Sequence, residues 1–213
     1  MKIKKIGHCC LVIEIGDKRL MTDPGAYSTL QTEEKDIDLI LITHEHPDHL
    51  HVESLQKVLA NNPTAKIVTN TAVATLLEKE GIAYTKIEHN EQQTLEGILI
   101  EGFGEHHEEV YKTFGQVQNT GYFVSNKFFY PGDAFTNPGK PVDILALPVA
   151  GPWMRIKNAL EYALELKPRV CFPVHDGMIM PDKPGPIYRL PQTILSESGI
   201  EFKVLTEGKM EEL

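Results

Sequence analysis

Three imidazoles and the Asp48 carboxylate crowd into the stretch Thr43-His44-Glu45-His46-Pro47-Asp48-His49. Charged, the imidazoles would repel one another; buried and unpaired, they would leave polar atoms unsatisfied. A divalent cation resolves both problems. His44 and His46 are two apart and share one side of an extended segment, while Asp48 and His49 follow Pro47, where the chain can turn and present a second pair. Two ligand pairs point to two cations. Imidazole and carboxylate donors suit zinc, and manganese or iron accept the same set. A cation pair brings bound water toward a neutral pKa and polarises a carbonyl or phosphoryl oxygen, so the expected chemistry is hydrolysis.

The elements that position this stretch follow from the apolar pattern. Leu39-Ile40-Leu41-Ile42 runs directly into it and predicts a buried strand ending in a loop. Upstream, Ile3 to Ile15 and Arg19 to Thr22 predict a hairpin around Gly16-Asp17, with Cys9 and Cys10 filling a strand between apolar neighbours. Downstream, Leu55, Val58 and Leu59 predict a helix stopped at Asn61-Asn62-Pro63, Ala65 to Thr69 a strand, Ala72 to Leu77 a second helix, and Ile82 to Ile87 a further strand. His51 falls on the helix surface. His89-Asn90-Glu91-Gln92-Gln93 predicts a solvated loop. Ile98 to Phe103 reads as a strand followed by Gly104-Glu105-His106-His107. Thr120 to Val124 and Lys127 to Tyr130 flank Ser125-Asn126, a tight turn, and run on to Pro131-Gly132-Asp133. Val142 to Val149 leads to Trp153, the only tryptophan, placed either in the core or on the wall of a pocket. A helix is expected over Arg155 to Lys167, then a strand Val170 to Val174 delivering His175-Asp176. The proline-rich stretch Met178 to Pro191 lacks a period and predicts a loop that could shape a substrate site through Tyr188 and Arg189, and Glu201 to Leu205 predicts the last strand. Strands alternating with helices call for a sheet covered by helices.

With these motifs in place, the chain resembles the metallo-β-lactamase superfamily, whose His-x-His-x-Asp-His signature stands here as His44, His46, Asp48 and His49. The resemblance implies an α/β fold, a four-layer αββα sandwich of two mixed sheets flanked by helices. It implies that His106, in Gly104-Glu105-His106, completes the first site with His44 and His46 in preference to His107, and that Asp133 bridges two cations. His175 then joins Asp48, His49 and Asp133 at the second. Asp48 is also the expected catalytic group, orienting the nucleophile. His8, in Gly7-His8, and Asp23, in Asp23-Pro24, are expected beneath or beside the metals, with His107 and Trp153 near the substrate pocket. The chain lacks the glycines that follow the signature in antibiotic-degrading members, carrying Leu50-His51-Val52 instead. The 38 residues after His175 leave little room for an added C-terminal substrate domain. Both features fit the lactonase-like subgroup that resembles ascorbate-6-phosphate lactonase. The expected cofactor is a pair of divalent ions, zinc first. The alternative is an iron-dependent redox protein of flavodiiron- or sulfur-dioxygenase-like type.

Composition bounds the partners. The 213 residues are 41% hydrophobic and 24% charged, enough for one core and ordinary for a globular chain, and no linker divides them. One domain, 1–213, is expected. A net charge of −9 argues against nucleic acid, since phosphate binding needs clustered lysine and arginine. The longest apolar runs fall short of the roughly 18 residues that cross a bilayer, and three cysteines argue against a disulfide framework. The expected setting is cytoplasmic, with a small-molecule substrate, no nucleic acid, no membrane, and room for a homo-oligomer.

Overall fold

Leu39–Leu41 (β4) is buried on both faces, which its uninterrupted apolar sequence requires, and it sits near the middle of a seven-stranded sheet. The computed structural model describes residues 1–180 and 182–213. Beside β4 lie β1 (Lys2–Lys5), β2 (Leu11–Ile15), β3 (Lys18–Thr22), β5 (Lys66–Thr69), β6 (Thr85–Lys86) and, at the edge next to β1, β14 (Met210–Glu212). A second sheet of seven holds β7 (Gln92–Leu95), β8 (Ile98–Phe103), β9 (Gly121–Val124), β10 (Phe128–Tyr130), β11 (Ile144–Pro148), β12 (Val170–Val174) and β13 (Glu201–Phe202) in order. Both sheets are mixed. The helices α1 (Val52–Asn61) and α2 (Thr71–Lys79) cover the first sheet, while α3 (Ile156–Leu166) and α4 (Pro186–Ser196) cover the second.

Three apolar layers separate these four. Ile3, Leu11, Leu20, Leu41 and Val68 from the first sheet meet Ile100, Tyr122, Phe128, Ile144 and Phe172 from the second in the central layer. The opposite faces of the same strands pack on the helices: Val12, Met21 and Ile40 with Leu55, Val58 and Leu77 on one side, Phe129, Leu145 and Cys171 with Ala159, Tyr162 and Leu195 on the other. Period-two alternation thus divides each strand between two cores. The αββα sandwich expected from the resemblance is the fold observed.

Direction decides where the loops meet. β3, β4, β5 and β6 are mutually parallel, as are β10, β11, β12 and β13. β8 and β10 both run antiparallel to β9, so β8, β10, β11 and β12 end on one edge. That edge faces the end of β4. The two are tied by Thr120 N donating to Thr43 O at 3.0 Å and by Asn70 Nδ2 donating to the same oxygen at 2.8 Å.

Four expectations need correction. Ile3 to Ile15 is two strands, because Gly7 at φ +122° and the Ile6 N to Cys10 O bond close a turn between β1 and β2. Gln92 and Gln93 lie in edge strand β7, whose polar side chains face solvent while the backbone pairs with β8. The stretch from Met178 to Pro191 contains the start of α4, opened by Pro186 at its first turn and holding Pro191 inside. Pro181, in the same stretch, lies outside the described residues. The last strand is β14, not Glu201 to Leu205, of which only Glu201–Phe202 pairs.

Candidate metal centre

Each candidate ligand leaves its strand at the shared edge. After β4 the chain carries Thr43 to His49; after β8 comes His107, after β10 Asp133 and after β12 His175. Donor atoms of His44, His46, His107 and Asp133 lie within 4.8 Å of one another, as do those of Asp48, His49, His175 and His8. Asp133 stands between the two groups. Its Oδ1 is 3.1 Å from His49 Nε2, and its Oδ2 is 2.8 Å from His175 Nε2 and 3.3 Å from His107 Nε2.

His107 occupies the place expected of His106. Gly104 turns the chain out of β8 at φ +87°, so the strand's alternation does not carry past it. His107 N then donates to Val117 O and Glu108 N to Asp133 O, which pins His107 over the Asp133 loop. His106 is exposed and faces a shallow depression with Glu105 and Gln116.

Hydrogen bonds on the far side of the rings fix the tautomers. Asp23 Oδ1 accepts from Thr43 N, and Oδ2 accepts from Thr43 Oγ1, Tyr130 Oη and His49 Nδ1, the last at 2.7 Å. Four donors require an ionised carboxylate. Thr43 Oγ1 has spent its proton on Asp23, so at 3.0 Å it accepts from His44 Nδ1. His107 Nδ1 donates to Glu108 O at 2.6 Å. His44, His49 and His107 therefore all turn Nε2 inward. His8 has the opposite tautomer: its Nδ1 accepts from Gly177 N at 2.9 Å, so Nε2 carries the proton and donates to Asp48 Oδ2 at 3.2 Å. That makes His8 a support for Asp48 and not a ligand. Asp23 and His8 lie beside the candidate ligands.

Two of these residues have left-handed backbones, His175 at φ +57° and Asp23 at φ +33°. Neither is glycine, so each conformation costs about 1–3 kcal/mol and is held by its surroundings. His175 N donates to His8 O and Asp23 N to Leu41 O. Close approach is demanded at Gly132, φ +65°, where a Cβ would meet Asn119 Oδ1 at 2.3 Å and Thr43 Cβ at 2.9 Å. Asn119 holds the turn, its Oδ1 accepting from Asp133 N and its Nδ2 donating to Pro131 O. Asn70, Asn119 and Tyr130 were not expected at the site, and Thr43 only as the first residue of the signature stretch; single polar residues in loops or at a strand end carry no spacing signal.

The electrostatics fit cations. His44 Nε2 is buried with no hydrogen-bond partner among the described residues, and His49 Nε2 and Asp133 Oδ1, 3.1 Å apart, are buried with none besides each other. Burial opposes ionisation of Asp133 and Asp48, but the imidazoles of His49 and His175 outweigh it at Asp133, and hydrogen bonds from His175 and His8 outweigh it at Asp48. Both carboxyls are held below the usual carboxylate range. Burial also opposes charge on His49 and His175; Asp133 reverses this and raises both. His44, where burial and the His49 charge act together, is lowered. The cluster thus attracts positive charge to its centre, held either as protons or as metal, and the orphaned lone pairs and ionised carboxylates suit divalent metal.

The centre opens into a cavity of about 190 Å³ walled by Tyr27, Val110, Pro152, Trp153 and Met178, with His46, Asp48 and His175 at its base. Trp153 is a pocket wall, its ring edge-on to His107 and His175 at centroid distances of 5.7 and 5.5 Å. A neighbouring cavity of about 250 Å³ shares Tyr27 and adds Lys5, Asp176 and Tyr188. Tyr188 Oη donates to Asp176 there, whereas Arg189 does not line either cavity.

A family model described as a beta-lactamase superfamily domain matches residues 2–175, a span that contains every residue of the centre. Protein Rv0786c of Mycobacterium tuberculosis is 32% identical over 97% of both chains. A UPF0173 metal-dependent hydrolase of Thermococcus onnurineus is 29% identical over 82% of this chain and 84% of its own. Igni18, a metallo hydrolase from Ignicoccus hospitalis, shares the fold with a TM-score of 0.78 at 21% identity over 99% of this chain and 97% of its own.

Proposed function

The chain belongs to the beta-lactamase superfamily, and from that premise we propose that it is a metal-dependent hydrolase holding two divalent cations, zinc first, and opening a small-molecule ester, lactone or phosphoester. The observation that carries this reading is the set of three imidazoles, His44, His49 and His107, each held through Nδ1 so that its Nε2 converges on Asp133. His44, His46 and His107 would hold one cation, and Asp48, His49 and His175 the other. Asp133 would serve both, because its two oxygens face different imidazoles. Bound there, the pair supplies a nucleophile at neutral pH and a Lewis acid for the substrate oxygen.

The chain's own residues do the rest. Asp48 keeps a charge within the pocket and can orient the attacking water by accepting its hydrogen bond, while the Nε2–H of His8 holds the carboxylate in place. Tyr27, Val110, Trp153 and Met178 give an apolar wall that favours a substrate with an apolar group beside the scissile bond and reduces water around it. Small cavity volume favours a metabolite over a polymer, and the net charge of −9 argues against nucleic acid as the substrate. The lactonase-like subgroup remains the preferred branch, and a cytoplasmic setting suits the three unpaired cysteines; among the described residues no helix is long and apolar enough to cross a membrane. The iron-dependent oxidative alternative is not favoured, since the T. onnurineus relative is named as a hydrolase.

The test is metal analysis of the purified protein followed by a screen of esters, lactones and phosphodiesters before and after chelation. About two equivalents of zinc or manganese, with hydrolysis lost on chelation and restored by metal, is the expected result. Stoichiometric iron with oxygen consumption and no hydrolysis would overturn it.

A further inference from the structure

Two adjacent cysteines at the hairpin between β1 and β2 point to opposite sides of the sheet. Cys10 enters the apolar layer under the helices with Val12, Met21 and Ile40. Cys9 enters the layer between the sheets, fully buried, directly under the candidate metal centre. Its sulfur and a donor atom each of His49 and Asp133 lie within 4.8 Å of one another. Those two residues present His49 Nε2 and Asp133 Oδ1, both buried, 3.1 Å apart, and without a hydrogen-bond partner besides each other among the described residues. The backbone beneath Cys9 is fixed, since its carbonyl accepts from Thr22 Oγ1 at 2.8 Å.

We propose that Cys9 is an additional metal ligand, a sulfur donor on the inner side of the centre that makes the cation next to His49 and Asp133 a thiophilic one, such as zinc, cobalt or cadmium. The proposal rests on the reading of the centre as a divalent-metal site. A cysteine there purely for packing would leave the His49 nitrogen and the Asp133 oxygen with only each other and a thiol, which is a weak donor. Sulfur, imidazole nitrogen and carboxylate oxygen around one point instead form a mixed donor set that selects soft and borderline cations over magnesium and manganese. On coordination the Cys9 thiol releases its proton to solvent and the sulfur lone pair forms the bond, with no change of oxidation state.

Cobalt(II) added to the metal-stripped protein gives a direct readout. The expected spectrum shows visible bands from imidazole and carboxylate coordination together with a near-ultraviolet thiolate-to-cobalt charge-transfer band. The ultraviolet band is lost in Cys9→Ser and kept in the Cys10→Ser/Cys171→Ser double variant, which has Cys9 as its sole thiol. Competition should show cadmium binding weakened at least about tenfold in Cys9→Ser, with manganese binding changed far less. Cobalt bound in the wild-type protein with visible bands and no thiolate band overturns the proposal and leaves the dinuclear reading standing. Failure of cobalt to bind at all removes both. The wild-type spectrum decides the matter even if the Cys9 variant does not fold.

Discussion

Asp23 is the residue on which the geometry of the metal centre turns, although it touches no substrate. Its four donors come from the end of β4, from the signature loop and from β10, so one carboxylate sets the His49 tautomer and joins the two sheets. Asp23→Asn replaces an oxygen with a donor in a place already filled with donors. The expected cost is about 2–4 kcal/mol of stability, together with about 10–100-fold in metal affinity as the His49 ring loses its orientation. Tyr130→Phe removes one bond and leaves the carboxylate satisfied, so about 1 kcal/mol is expected with little change in metal binding. Urea denaturation and metal titration of both variants check this. Equal affinities for Asp23→Asn and the wild-type protein would show that Asp23 does not orient His49.

At the scale of elements, the site depends on how helices and loops are tied to the strand ends. Asn70 caps α2 through Val73 N and also donates to Thr43 O, so the start of the helix and the start of the signature loop share one side chain. Glu88 reinforces the same helix end, its Oε1 accepting from Thr71 N and from Gln118 Nε2. Burial opposes ionisation of Glu88, but the hydrogen bonds from Gln118 and Thr71 outweigh it and bring the carboxyl to about 2, from 4.5. Because the folded value lies below the unfolded one, the unfolded chain takes up the proton first as pH falls. The stabilisation is complete above the unfolded value and is lost as pH drops from about 4.5 through about 2. Glu88→Gln is therefore expected to be less stable than the wild-type protein at neutral pH, with the gap closing across that acid window. Urea midpoints measured against pH test it, and a gap that stays constant to pH 2 would refute the assignment.

For the molecule as a whole, the centre is a junction between two sheets that elsewhere meet mainly through apolar contacts, with hydrogen bonds such as Thr120 N to Thr43 O and Tyr130 Oη to Asp23 beside it. His44, His46, Asp48 and His49 belong to the first sheet, and His107, Asp133 and His175 to the second. A cation bound by both links halves of the sandwich that must separate on unfolding. Metal at about 100 times its dissociation constant should add about 2.7 kcal/mol, and for a chain of this length that is a rise in Tm of about 5–10 °C. Calorimetry of metal-free and zinc-loaded protein measures it. An unchanged Tm with metal bound would mean that the unfolded chain binds the metal as tightly as the folded one.

How much of this was legible follows from what each level of structure encodes. The signature His44-x-His46-x-Asp48-His49 is local, and its spacing beside a buried strand by itself marks a metal loop; period-two and period-3.6 patterns likewise mark most strands and helices. The choice between His106 and His107 was not legible, because it depends on Gly104 breaking the strand phase and on bonds to Val117 and Asp133 far along the chain. The same holds for α4, hidden behind its prolines, and for Cys9, whose direction is set by the turn at Gly7 and whose significance comes from a carboxylate more than a hundred residues away. The sequence determined which side chains can bind metal and which strands can carry them. The tertiary structure alone decided which donor atoms share a point in space, because strand direction, loop register and ring tautomer are fixed only by contacts between distant segments.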